Sequence, residues 1–245
     1  IVCEWYNIPL IDENGRAIGI ALMAVDITER QQAETELQES ALRQRAIARV
    51  IERMRQTLDI QEIFHATTRE LRQTMKCDRV ALYRFNPDWS GEFVAESVDS
   101  KWVSLIQAQE IDYNFNESAL DSESCLVQKF DGTSQEVRDT YLQETEGGPY
   151  SRGTTYLCVP DIYKQGFDNC YIQLLEKFEA KSYITVPIFC GEQLWGLLAS
   201  YQNSHPRQWS EAEINVAVHV GTQLGVALQQ AELLARTRRQ SMELL

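Results

Sequence analysis

Two dense apolar runs open the chain. IVCEWYNIPLIDENGRAIGIALMAVDITER places apolar and β-branched residues on either side of DENG, which predicts two strands joined by a tight turn at Asp12 to Gly15, the glycine supplying the positive φ of the reversal. Two strands cannot build a core alone. The pair is therefore either the end of a domain or an edge added to another one. From Glu29 to Leu58 the pattern changes: Gln, Arg, Glu and Ala dominate, Gly and Pro are absent, and Ile47, Val50, Ile51, Met54 and Leu58 recur at three- and four-residue steps. This predicts one long helix with an apolar stripe, entered at Thr28 as N-cap with Glu29 in the first turn.

The middle of the chain alternates helix and strand. A helix is expected over Ile63 to Leu71. RVALYRF (Arg79–Phe85) and EFVAESV (Glu92–Val98) read as a hairpin across NPDWSG, and Ser182–Phe189 with Gln193–Tyr201 as a second hairpin. The sheet should be antiparallel with helices on one face, an α+β architecture. Ser210 and Glu213 form a capping-box pattern ahead of Ile214, Val218, Leu224, Leu228, Leu233 and Leu234, a second long helix. Apolar stripes on both flanking helices suit either packing within the domain or a parallel homodimer.

Between the hairpins, residues 99–181 carry few periodic signals, and a loop region of that length in a compact domain is usually functional. It holds Gly147, Gly148, Tyr113, Tyr141, Tyr150, Tyr156, Tyr163 and Tyr171, a supply of rings suited to a flat, partly polar ligand.

Composition narrows the classes. The formal net charge of −13 repels phosphate backbones and anionic lipid, so nucleic acid is not expected as a partner. No apolar run is long enough to span a bilayer and no signal peptide opens the chain, so a cytoplasmic location is expected. Cys3, Cys77, Cys125, Cys158, Cys170 and Cys190 are scattered, without a CxxC pair, and only His65, His205 and His219 accompany them. Neither a metal site nor a disulfide framework is expected. On residue type alone Cys170 reads first as a buried thiol and second as an attachment point, and Asp139 first as a helix or turn cap and second as a site carboxylate.

DTYLQETEGGPY, VPDIYKQGFDNC, LLEKFEAKSYITVPIF and EQLWGLLASYQNSHPRQWSEAE, taken together, resemble the bilin-binding GAF domain of cyanobacteriochromes, relatives of phytochromes, nearest their red/green lineage. The resemblance covers about Ile60 to Leu234; the segment before it is similar to a PAS-domain C-terminus. It implies a GAF fold with partial PAS strands in front, divided as 1–28 PAS fragment, 29–58 connecting helix, 59–229 GAF domain and 230–245 output helix. It also implies a photoreceptor rather than an enzyme. Such a domain carries a self-attached linear tetrapyrrole, phycocyanobilin by family default or else biliverdin or phycoviolobilin. It isomerises between Z and E forms and relays light to a downstream module such as a histidine kinase.

Carried over residue by residue, the resemblance makes Cys170 the thioether anchor, Asp139 the carboxylate under the pyrrole nitrogens, Tyr201 a neighbour of the photoactive end and Tyr150 a neighbour of a propionate, with Tyr141 and Tyr171 in the pocket. A carboxylate about 4 Å from a cation at an effective dielectric near 20 contributes roughly 4 kcal/mol, about three pKa units, so Asp139 would keep the pyrrole nitrogens protonated. Some positions depart from the family: Tyr171 replaces a histidine, Val137 a tryptophan, and Pro149 an arginine whose role passes to Arg152. An insertion over Asn114 to Glu136 carries Cys125 in ESCL, resembling the Asp-Xaa-Cys-Phe motif of a sister lineage with Glu123 for the aspartate, and makes Cys125 a candidate second thioether. The rival functions are a GAF domain for a small diffusible ligand such as a cyclic nucleotide, and a redox or structural coupling module.

Overall fold

A computed structural model describes residues 1–56, 59–87, 90–111, 137–138, 150, 152–167 and 169–243. The chain divides into two units, Ile1–Arg45 and Ala46–Leu245. In the first, β1 (Cys3–Ile11) and β2 (Ala17–Asp26) pair antiparallel. Asp12 closes the turn by accepting from the backbone N–H of Asn14 and Arg16, and Gly15 takes φ +78°. None of the hairpin's described side chains is buried, and Trp5, Ile18, Ile20 and Leu22 are all about two-thirds exposed, as expected of two strands without a core. α1 (Thr28–Gln56) follows. Its entry corrects the expectation of a Thr28 N-cap. Asp26 accepts from the Thr28 backbone N–H at 2.9 Å, while the Thr28 hydroxyl accepts from the Val2 N–H at 2.8 Å. A carboxylate two residues upstream is the stronger acceptor, so the aspartate caps and the threonine pins the strand.

In the second unit α2 (Ile60–Met75) begins at Asp59, whose carboxylate accepts from the Gln61 N–H, and ends at Lys76 in the left-handed region. The sheet comprises β3 (Arg79–Phe85), β4 (Ser90–Val98), β5 (Val137–Arg138), β6 (Leu157–Val159), β7 (Ser182–Cys190) and β8 (Gln193–Gln202). Their spatial order is β5-β4-β3-β8-β7-β6, every pairing antiparallel. α3 (Leu105–Ile111), a 3-10 turn at Ile162–Lys164, α4 (Asn169–Lys177) and α5 (Glu211–Glu243) complete the described elements. α5 starts with the expected reciprocal cap: the Ser210 N–H donates to Glu213 and the Glu213 N–H to Ser210 Oγ.

Strand alternation sends successive residues to opposite faces. One face, with Val80, Leu82, Ile184, Val186, Ile188 and Leu198, packs under α2 and α5. The seating of α5 is close: a methyl at Gly221 would stand 2.7 Å from Val186 Cγ1, and one at Gly225 would collide with the Phe189 carbonyl. The other face carries Ala81, Phe93, Tyr183, Ala199 and Tyr201 and is covered in part by Leu105 of α3 and Leu175 of α4. Helices on one face only is thus corrected: two long helices seal one face, and two short ones frame the other. The α5 stripe is largely used within the domain, Leu224 and Leu228 being buried, whereas Leu233 and Leu234 are exposed.

The framed face is anchored by Arg79, fully buried at the start of β3. Its guanidinium donates to the carbonyls of Phe178 and Val103, and its Nε lies 2.9 Å from Glu96 Oε1, an ion pair out of hydrogen-bond alignment. Glu96 also receives the Ser104 hydroxyl at 2.7 Å and the Leu105 N–H at 3.0 Å. Removing one partner of a buried pair strands the other charge. Arg79→Met should therefore cost about 3–5 kcal/mol in urea unfolding; a loss under about 1 kcal/mol, the scale of a surface pair, would show that the cation does not hold the frame.

Candidate functional site

Residues directly opposite one another in neighbouring strands share a face, so the register lays out the framed face in rows. The first is Val98, Arg79, Tyr201, Tyr183 and Val159; the second is Glu96, Ala81, Ala199, Thr185 and Leu157; the third contains Phe93, Tyr83, Leu197 and Pro187. Small side chains at Ala81 and Ala199 leave a low floor between rings. Tyr183 and Tyr201 stand on one side, 6.1 Å apart and tilted, and Tyr83 and Phe93 on the other in an edge contact at 5.3 Å. Tyr171 and Phe167 pack against the same cluster, edge to face at 5.0 Å.

Apart from the Arg79–Glu96 pair and Thr185, the polar groups described on this face are phenols. Tyr150 is buried, and its hydroxyl shares a hydrogen bond of 2.8 Å with Thr185 Oγ1. Burial pushes the Tyr201 phenol well above the usual tyrosine range, with Tyr171 adding to the rise and Arg79 opposing it. Burial likewise raises Tyr183, with Tyr171 next. Both are neutral donors at any physiological pH. The Tyr183 hydroxyl is buried and makes no aligned hydrogen bond among the described residues; the Tyr171 phenol lies within hydrogen-bonding reach of it and raises it both by charge and by that contact, without the alignment of a formed bond.

Among the site residues expected from sequence, Tyr201, Tyr171 and Tyr150 are described, the first two together in the cluster and Tyr150 beside it with Leu194. Cys170 is the second residue of α4, immediately before Tyr171, and Val137 pairs with Gly91 in β5; the side chains of both lie outside the described set. Arg152 is exposed and engaged in an interaction. Asp139, Tyr141, Glu123 and Cys125 lie outside the described residues. Tyr163 behaves as a loop anchor, donating to Glu176 and receiving from Lys181. Tyr183 is the residue that sequence reasoning missed. The signal was there in SYITV, where Tyr and Thr alternate with Ile and Val and so mark a polar-aromatic face. No His, Cys, Asp and Glu group with metal-ligating geometry occurs among the described residues.

The family profile of the GAF domain matches residues 59–228. The chain belongs to the GAF family. Its solved relatives share this architecture. A red/green cyanobacteriochrome, NpR6012g4, in its red light-absorbing state is 48% identical, with a TM-score of 0.58 over 72% of this chain and 97% of that one. The photoproduct state of GAF3 from Slr1393 of Synechocystis is 45% identical, with a TM-score of 0.61 over 73% and 99%. The far-red absorbing dark state of JSC1_58120g3 with bound biliverdin is 35% identical, with a TM-score of 0.61 over 76% and 99%. A putative methyl-accepting chemotaxis protein of Synechocystis and the circadian input-output histidine kinase CikA of Synechococcus elongatus are each 28% identical over 85% and 82% of this chain. The chain spans only 18% and 25% of their lengths.

The phenols give this face a pH signature. A raised folded pKa means the folded state holds its proton more tightly than the unfolded one. That contribution is complete below about pH 10 and is lost as pH rises beyond it. The urea midpoint should fall on the alkaline side of that value, and less steeply in Tyr201→Phe, which has no proton to lose; equal slopes in the two proteins would contradict the assignment.

Proposed function

We propose that this chain is a light-sensing domain that holds a linear tetrapyrrole covalently through Cys170 and passes its photochemical state to an output module. The observation that carries the reading is the framed face itself. Rings stand over an alanine floor, with an orphaned buried hydroxyl, beside the helix whose second residue is Cys170. A flat, largely apolar molecule with a few hydrogen-bond acceptors fits such a surface. The similarity to cyanobacteriochrome structures at up to 48% identity supports the same ligand class.

When bound, the tetrapyrrole supplies a conjugated system whose double-bond isomerisation follows the absorption of light. The protein's part is to anchor, orient and hold protons. Cys170 thiolate provides the thioether sulfur, and Asp139 holds the positive charge of protonated pyrrole nitrogens. Tyr171 and Tyr201 wall the ligand as neutral donors, and Tyr150, fixed on Thr185, borders it. Tyr141, Val137 and Arg152 complete the proposed pocket. Phycocyanobilin is the proposed ligand, with biliverdin as the alternative that one solved relative contains. Among the described residues of the framed face the guanidinium, that of Arg79, is already matched by Glu96 and Glu179, which leaves less countercharge there for the phosphate of a cyclic nucleotide.

Output is proposed to leave through α5, in parallel dimers joined by the flanking helices, toward a module such as the histidine kinase present in one relative. No helix among the described residues is long and apolar enough to cross a membrane. The hairpin of β1 and β2, with its uncovered apolar side chains, is proposed as part of a preceding PAS-type sheet.

Expressed with tetrapyrrole biosynthesis, the chain should yield a coloured protein whose denatured band fluoresces with zinc, and Cys170→Ala should lose that band entirely. A colourless wild type, or a covalent band that survives the substitution, sinks the proposal. In the same preparation, Cys125→Ala should remove any blue- or violet-absorbing state that depends on a second thioether near Glu123; unchanged photostates exclude that linkage.

A further inference from the structure

Among the phenols of the framed face, Tyr183 differs in one respect. Tyr150 uses its hydroxyl on Thr185, but the hydroxyl of Tyr183, a residue only 2% exposed, makes no aligned hydrogen bond among the described residues, the Tyr171 phenol beside it being within reach but out of line. Leaving a buried hydroxyl unsatisfied is unfavourable, and native interiors avoid it unless something outside the polypeptide completes the bond. Tyr183 stands in the same sheet row as Tyr201 and Arg79, next to the alanine floor, on the surface that faces the proposed ligand rather than the one sealed by α2 and α5. Burial keeps it protonated, so it can only offer its hydrogen or accept one.

We propose that Tyr183 is a ligand-binding residue whose hydroxyl donates to a neutral carbonyl oxygen of the bound molecule, a terminal lactam carbonyl if the molecule is a tetrapyrrole. The inference rests on the tetrapyrrole reading for the ligand's identity, but not for the existence of the site. A carbonyl is favoured over a carboxylate because the cation in the Tyr183 row, Arg79, is already paired with Glu96 and Glu179, and a carboxylate brought among neutral phenols would lose its hydration without a countercharge. Tyr171, adjacent to the proposed anchor and half-buried in the same cluster, can align with Tyr183 once the acceptor is in place.

Tyr183→Phe removes the oxygen and keeps the ring. Without ligand, the variant should melt at or above the wild-type temperature, since it relieves an unsatisfied group. With the tetrapyrrole attached, the rise in melting temperature over the ligand-free form should shrink relative to wild type. The lactam carbonyl stretch in light-induced infrared difference spectra should move to higher frequency, with the zinc-fluorescent band retained. An apoprotein that melts lower than wild type would show that the hydroxyl already has a partner within the protein, and overturns the proposal. So does an attached tetrapyrrole whose stabilisation and carbonyl band are the same in both proteins. Should the wild type stay colourless, the tetrapyrrole reading fails by itself, while the melting comparison of the two apoproteins still decides whether the hydroxyl is free to serve a ligand.

Discussion

The arrangement of this domain depends on a single buried cation. Arg79 opens β3, and its guanidinium reaches the Phe178 carbonyl just past α4, the carbonyl before α3 at Val103, and the carboxylates of Glu96 and Glu179. Burying a guanidinium is unfavourable unless nearly every N–H is met, so the pieces that meet it have little freedom to move apart. Glu179 adopts φ +57° while its carboxylate also receives the Val103 N–H at 3.1 Å. Glu96 in turn caps α3 through Leu105 and Ser104. One ion cluster therefore fixes the ends of both short helices relative to β3 and β4. Those helices border the ring-lined face, and the cluster sets its width.

This division of labour between faces explains how a sheet can carry an unsatisfied hydroxyl and remain folded. The α2 and α5 side buries aliphatic side chains of four strands against two long helices, and cohesion comes chiefly from there. The opposite side is only partly covered, and apart from the Arg79 cluster its described polar atoms are neutral hydroxyls, which cost less to bury than charges. The buried cation described there, Arg79, is compensated locally. A surface so arranged needs no charge rearrangement to receive a planar, largely apolar guest, which lowers the cost of binding.

Much of this was legible in the chain, and the limits are physical. All three hairpins, the long helices and the Ser210 cap follow from local signals, that is from alternation, turn residues and capping pairs only a few positions apart. Tyr171 and Tyr201 were reached through family motifs and do meet in one cluster. Arg79 gave no such signal. Its partners Phe178 and Glu179 lie 99 and 100 residues along the chain, and an arginine beginning a strand reads as a solvated end until the fold closes over it. Tyr183 was hidden for a related reason. Its alternation with Ile184 was visible, but which face of a central strand is sealed by helices depends on where α2 and α5 dock. The same docking misled the expectation of helices on one face, because α3 and α4 are too short to show a periodic stripe.

β7 joins the two faces and gives the proposed sensing a path to the proposed output. Tyr183 and Thr185 point to the ring-lined side, while Ile184, Val186 and Ile188 point to the side under α5. Gly221 and Gly225 bring the α5 backbone onto this strand, with Val186 and the Phe189 carbonyl in direct contact. Long side chains at a helix–sheet contact absorb small displacements by changing rotamer; a glycine contact has none to change. A shift of β7 that follows a new hydrogen bond at Tyr183 must therefore be met by α5 as a whole, or by loss of close packing. A ligand biases such an element only by the difference in its contacts between two states. If Tyr183 bonds one isomer and not the other, that difference is created on the strand on which α5 is seated, one residue away from the side chains that hold it.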